Sequence, residues 1–135
     1  MNIARIMLPK ALTVFLYEDH TIRQALEIGT RAGYTALPVL DKNDLYVGSV
    51  TEGDILRFMM EQKTTDLHVQ EKHRIKEIIR PEFCPALSID SDDDTVIDTI
   101  LNYNYAPVVD DRNALCGIMT RRRLIAYLAG RELST

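Results

Sequence analysis

The sequence predicts a mixed α/β (α+β) domain written twice, and three observations predict it. Gly33 to Leu56 reads GYTALPVLDKNDLYVGSVTEGDIL and Asn102 to Leu124 reads NYNYAPVVDDRNALCGIMTRRRL. Pro38 and Pro107, Val39 and Val108, Asp41 and Asp110, Gly48 and Gly117, and Thr51 and Thr120 are each 69 positions apart. Five identities in one register mark an internal repeat. Each copy then runs apolar stretch, Asp-led polar turn, apolar stretch and Thr at the head of a periodic segment, which spells strand, turn, strand, helix. Finally, Ile3-Ala-Arg-Ile-Met-Leu-Pro9 is echoed by Ile75-Lys-Glu-Ile-Ile-Arg-Pro81, each a short helical turn stopped by proline. That echo puts the repeat boundary near residue 74 and divides the chain into 1–74 and 75–135.

The elements follow in order. A short strand is expected at about Leu12 to Leu16. Thr21-Ile-Arg-Gln24 has capping-box spacing and opens a helix with Ile22, Ala25, Leu26 and Gly29 on one face. Strands at Ala36 to Leu40 and Leu45 to Val50 lead to Thr51-Glu-Gly-Asp54, a second capping-box sequence. Its hydroxyl can accept from an orphan helix N–H, and the free N–H groups beside it suit an anion. Ile55, Leu56, Phe58 and Met59 make an apolar stripe to about Gln62. Lys63 to His73 reads as a polar connector with a strand turn at Leu67 to Val69. Ser91-Asp-Asp-Asp94 is an acidic turn ahead of a helix starting at Thr95, where negative charge suits the helix end. From Thr21 to Pro38 is 17 positions and from Thr95 to Pro107 only 12, so the second helix should be about one and a half turns shorter. Strands at Ala106 to Val109 and Leu115 to Met119 precede a last helix, Arg121 to Arg131, burying Leu124, Ile125, Tyr127 and Leu128.

Composition limits the function classes. With 135 residues and 46% apolar content, the chain can close one domain of ordinary size or two half-domains. Its net charge of −4 argues against a general nucleic-acid binder, which needs a basic surface to displace counterions. Apolar runs fall far short of the roughly 20 residues a membrane span requires, and no secretory h-region precedes them. A cytoplasmic protein is expected. Cys84 and Cys116 lack CxxC spacing and read as thiols, not as a disulfide or metal pair.

Motifs for catalysis are missing. There is no nucleophile with its base, no GxxxxGK[ST] and no GxGxxG. His68 and His73 are five apart, off a common helical face, so no metal site is assigned. The chain starts at Met1 and stops soon after its last helix, so a non-catalytic protein acting on a separate target in trans is expected.

The pattern Pro-Val-(Leu/Val)-Asp followed by Gly-x-(Val/Met)-Thr-x-x-Asp/Arg-(Ile/Leu) resembles the CBS motif of cystathionine β-synthase type. Two copies resemble a CBS pair, or Bateman module, over nearly the whole chain. The resemblance implies tandem CBS repeats with pseudo-twofold symmetry, assembled as a disc-like homodimer that senses adenine nucleotides (AMP or ATP) and needs no cofactor. It also implies a ribose-holding role for Asp54 and a hydroxyl contact for Thr51. Helix capping alone accounts for both residues equally well.

Copy two departs from the motif, because Arg123, preceded by Arg121 and Arg122, stands where the carboxylate should be. A guanidinium cannot accept from a diol but binds phosphate, often bidentately. Gly33-Tyr-Thr-Ala36 with Thr120-Arg-Arg122 is similar to small stand-alone CBS-pair proteins of Gram-positive bacteria that bind cyclic di-AMP. That likeness implies contacts from Tyr34, Thr35, Ala36, Thr120, Arg121 and Arg122, with Leu12 and Val14 as a strand-edge wall. Other readings stay open: a solvated helix start for the arginines, core packing for Tyr34, and a ligand-free dimerisation or protein-interaction module for the whole.

Overall fold

A computed structural model describes residues 1–32, 36–63, 66–80 and 85–132. It separates into two compact units, Val14–Phe83 and Met1–Thr13 with Cys84–Thr135. We call them the first and second unit. Each holds the hairpin and helices of one copy together with the short leading turn of the other.

The first unit has a three-stranded sheet in the order β2-β3-β4. β2 (Leu16–Tyr17) runs parallel to β3 (Ala36–Leu40), which pairs antiparallel with β4 (Tyr46–Thr51). Helices α2 (Ile22–Ala32) and α3 (Glu52–Gln62) cover it, and α4 (Leu67–Lys72) packs on α2. Its core gathers Leu16, Ile22, Val39, Val50, Phe58 and Ile75. The leading turn of copy two, a 3₁₀ turn at Ile75–Glu77, closes the unit through Ile75 N–H to His20 O at 2.8 Å and a bridge between Arg80 and Ser49.

The second unit repeats this plan. β5 (Leu87–Ser88) is parallel to β6 (Tyr105–Val109), β6 is antiparallel to β7 (Leu115–Thr120), and helices α5 (Asp93–Tyr103) and α6 (Arg121–Leu128) belong to the same copy. The leading turn of copy one supplies α1 (Ile3–Ile6) and β1 (Leu8–Pro9), which joins β7 with Leu8 opposite Ile118. A Cβ on Gly117 would lie 2.2 Å from the Leu8 carbonyl oxygen, so the close approach of β1 requires glycine there.

The turns explain the identities of the repeat. Asp41 Oδ1 accepts from Asn43 N–H at 2.8 Å and Leu45 N–H at 3.1 Å. Asp110 Oδ1 accepts from Arg112 N–H at 2.9 Å and Ala114 N–H at 3.0 Å. Those bonds hold the Asp110 carboxyl below its ordinary pKa. Each turn then places one residue at positive φ, Asp44 at 64° and Asn113 at 66°, types that tolerate that conformation. The register shift beside Val39 recurs beside Val108.

Several sequence expectations need correction. No strand begins at Leu12. Lys10–Leu12 is a 3₁₀ turn after Pro9, fixed by Thr13 Oγ1 donating to Pro9 O at 2.9 Å, and the strand is only Leu16–Tyr17. Leu67–Lys72 is helix, started by Asp66 accepting from His68 N–H at 2.8 Å. Thr95 does not start α5. Asp92 caps it by accepting from Thr95 N–H at 2.8 Å, so α5 spans 11 residues, the same length as α2. The last helix ends at Leu128, and of its apolar residues Leu124 is buried while Ile125, Tyr127 and Leu128 are exposed. Leu56 of α3 is exposed as well. Cys116 is a half-buried free thiol whose pKa burial raises, and Cys84 lies outside the described residues. Among the described residues no helix is long and apolar enough to cross a membrane.

Candidate functional site

The first unit builds its polar site at the start of α3. Thr51 leaves β4 in extended conformation and caps the helix: its Oγ1 accepts from Asp54 N–H at 3.1 Å, and its N–H donates to Asp54 Oδ2 at 2.8 Å. The reciprocal capping box anticipated at Thr51–Asp54 is therefore formed. The Asp54 side chain is only 2% exposed. A buried carboxylate costs several kcal/mol unless it is paired and hydrogen-bonded. Here Arg80 Nε donates to Oδ1 at 2.8 Å, Arg57 Nη1 donates to the same oxygen at 3.2 Å, and Arg80 Nη2 reaches Thr51 Oγ1 at 3.5 Å. The result is a hydroxyl, a carboxylate and two guanidinium groups in one cluster.

The second unit has the same backbone at α6 with different chemistry. Thr120 Oγ1 accepts from Arg123 N–H at 3.2 Å, so the cap survives although its fourth position is basic. Arg123 Nε donates to Ile6 O at 2.5 Å, tying α6 to the leading turn. Arg121 points to the end of α5, with Nε donating to Ile100 O at 3.1 Å and Nη2 to Leu101 O at 2.8 Å. These are last-turn carbonyls, and Ile100 O also accepts from Asn104 N–H at 3.1 Å, so Arg121 adds a donor to the C-terminal end of α5. Arg122 is exposed.

The other residues singled out from the sequence are dispersed. Leu12 is 53% exposed at the end of the 3₁₀ turn in the second unit. Val14 belongs to the first unit, where it packs half-buried against the core. The expected strand-edge wall from this pair is therefore not a strand. Ala36 opens β3, half-buried, and lines a void of about 20 Å³ with Thr51 and Glu52. Space of that order holds about one water, not a purine. Tyr34 and Thr35 lie outside the described residues. A larger cavity of about 270 Å³ lies between α2 and α3, but Ala25, Leu26, Ile55, Leu56 and Met59 dominate it and neither Thr51 nor Asp54 lines it. Its apolar walls suit a hydrophobic surface better than a phosphate.

Sequence reasoning missed Arg80 and Arg57. A signal existed for Arg80: it stands before Pro81 where the first copy has Leu8 before Pro9. The paired strand positions correspond as well, since Leu8 meets Ile118 and Arg80 meets Ser49.

A CBS-domain family model matches residues 3–61 and 75–130, one match for each copy. The chain belongs to the CBS-domain family. It is 34% identical over 128 residues to the uncharacterized protein MJ1225 of Methanocaldococcus jannaschii, covering 85% of this chain and 45% of that relative. The chain thus spans less than half of that relative's length. The crystal structure of MJ1225 is similar at TM-score 0.82 and 28% identity, over 96% of this chain and 50% of that one. CbpB of Listeria monocytogenes, solved in complex with cyclic di-AMP, has TM-score 0.84 at 18% identity, with 96% of each chain covered. CBSX2, solved in complex with AMP, has TM-score 0.78 at 21% identity, again with 96% of each covered. At such identities these last two likenesses speak for the fold.

Proposed function

We propose that this CBS pair is a non-catalytic cytoplasmic regulator that binds an adenine nucleotide and acts on a partner protein in trans. The observation that carries the reading is the buried Asp54 carboxylate, held beside the Thr51 hydroxyl with Arg80 and Arg57 against it. A carboxylate accepts from a ribose diol, and guanidinium groups take phosphate. We assign AMP or ATP to this cluster, and keep Tyr34, Thr35 and Ala36 for the cyclic di-AMP reading, whose resemblance implies them. MJ1225, at 34% identity, shares the family without a stated ligand, while CBSX2 was solved with AMP.

Cyclic di-AMP is the second reading. A 3′,5′-cyclic dinucleotide has no free diol to engage Asp54, and the run Arg121 to Arg123 offers phosphate contacts without a carboxylate. Arg121 and Arg123 already serve backbone carbonyls, so the phosphate role falls first on exposed Arg122. CbpB of Listeria monocytogenes, solved with this ligand, shares the fold.

Both units leave apolar helix residues in solvent: Leu56 at 59% and Met60 at 69% in the first, Ile125 at 62% and Leu128 at 60% in the second. Covering such faces by a second copy is the basis for proposing a homodimer. Calorimetric titration with AMP, ATP and cyclic di-AMP tests the function. Replacement of Asp54 by Asn should abolish AMP binding, and Arg122→Ala should weaken cyclic di-AMP. No binding of any of the three at about 1 mM, where binding free energy is only around −4 kcal/mol, would reject the sensor reading and favour a ligand-free dimerisation module.

A further inference from the structure

We infer that the apolar cavity between α2 and α3 receives α6 of a second copy, so that the first unit of one chain packs against the second unit of another. The inference rests on the homodimer proposed above and names the faces that meet. The cavity, about 270 Å³, is walled by Leu26, Ile55, Leu56 and Met59, and among the described residues lining it Glu52 alone is charged. Glu52 and Leu56 are both exposed. An apolar hollow with an acidic edge fits a helix that presents apolar side chains beside a positive charge.

The repeat itself supplies that helix. Positions 69 apart correspond in the two copies, so Glu52, Leu56 and Met59 of α3 answer to Arg121, Ile125 and Leu128 of α6. The apolar pair is kept and the sign of the charge is reversed. Ile125 and Leu128 lie three residues apart on one face of α6 and stand in solvent, while Leu124 turns into the core. Arg121 Nη2 donates to Leu101 O, which sets the start of α6 beside exposed Leu101 at the end of α5 and widens the apolar face. The bonds of Arg121 go to main-chain carbonyls, and no acid stands in the first turn of α6, so its charge is oriented there without being neutralised. Glu52 of another copy is its complement. Pairing each unit with its own kind offers Glu52 a face whose corresponding charge is acidic, and offers Arg121 one whose charge is basic. In a two-fold pair the unlike contact is made twice, once in each direction.

Sedimentation equilibrium of the full chain tests this on the wild type, L56K, I125E and the double variant L56K/I125E, with folding followed by circular dichroism. The wild type should dimerise, and each single substitution should weaken dimerisation about tenfold or more, because a charge then faces an apolar side chain. In the double variant the two new charges face each other across the unlike contact, and dimerisation should return to within about threefold of the wild type. Like-with-like packing would set each new charge against its own kind. A double variant that associates no more tightly than the singles would therefore overturn the inference and leave the homodimer standing. L56K/L128E, read in the same way, supplies the answer if I125E does not fold. A wild type that stays monomeric at about 1 mM would overturn the homodimer reading and this inference with it.

Discussion

The starts of α3 and α6 share a backbone and differ in charge. At both, a Thr ending a strand accepts from the N–H three residues on, at 3.1 Å in one and 3.2 Å in the other. At α3 that third residue is Asp54, buried and held by arginines. At α6 it is Arg123, reaching the carbonyl of Ile6. The leading turn answers in kind, with Arg80 opposite the acid and a main-chain oxygen opposite the base. The cap is the requirement of the fold, and the side chain after it is free to be assigned to chemistry. Each unit satisfies its own choice from the other copy's leading turn.

Making the two starts alike should break the first unit most. D54R would set a guanidinium against Arg57 and Arg80 at a position only 2% exposed, and should cost about 4 kcal/mol, within the range for breaking a buried pair. Urea unfolding reads it. A loss below about 1 kcal/mol would show that the cluster does not depend on its sign. Next in size, G117A drives a Cβ into the Leu8 carbonyl oxygen and should cost about 3 kcal/mol, the upper end of overpacking effects, because backbone cannot yield as a side chain does. R123A should cost only about 1 kcal/mol, less than the usual value for a charged hydrogen bond because Arg123 is half exposed.

The smallest effect sharpens the comparison through pH. His20 Nδ1 accepts from Tyr17 N–H at 3.0 Å, and burial lowers its pKa. The matching loop of the second unit uses a hydroxyl, Ser88 Oγ accepting from Asp90 N–H at 3.2 Å. Since the folded His20 pKa lies below the unfolded value of about 6.5, the unfolded chain binds the extra proton first. Stability from this group is full above that value and is lost as pH falls toward the folded pKa. H20Q should flatten the dependence of the urea midpoint as pH falls below about 6.5. An unchanged slope would show that His20 does not govern it.

Local features were legible because their physics is local. Thr51 and Asp54 lie three residues apart, so a capping box can be read from spacing, and the Asp41 and Asp110 turns bond within four residues. Reading failed where the partner was distant or the competing cap was acidic. Asp92 outcompeted Thr95 as the cap of α5, since each sits within reach of a helix start and only the backbone path selects one. Leu128 and Ile125 read as core by periodicity alone, yet the face they occupy is exposed. Arg80 is 26 positions from Asp54, and no spacing rule links them.

By itself the sequence determined the duplication, the hairpin and helix of each copy, and the threonine caps, all of which follow from side-chain periodicity and hydrogen bonds between near neighbours. Only the tertiary structure decided that each unit borrows the other copy's leading turn. That exchange is what brings Arg80 to Asp54 and the Ile6 carbonyl to Arg123, because a charge buried in one element must find its counterpart wherever the chain returns.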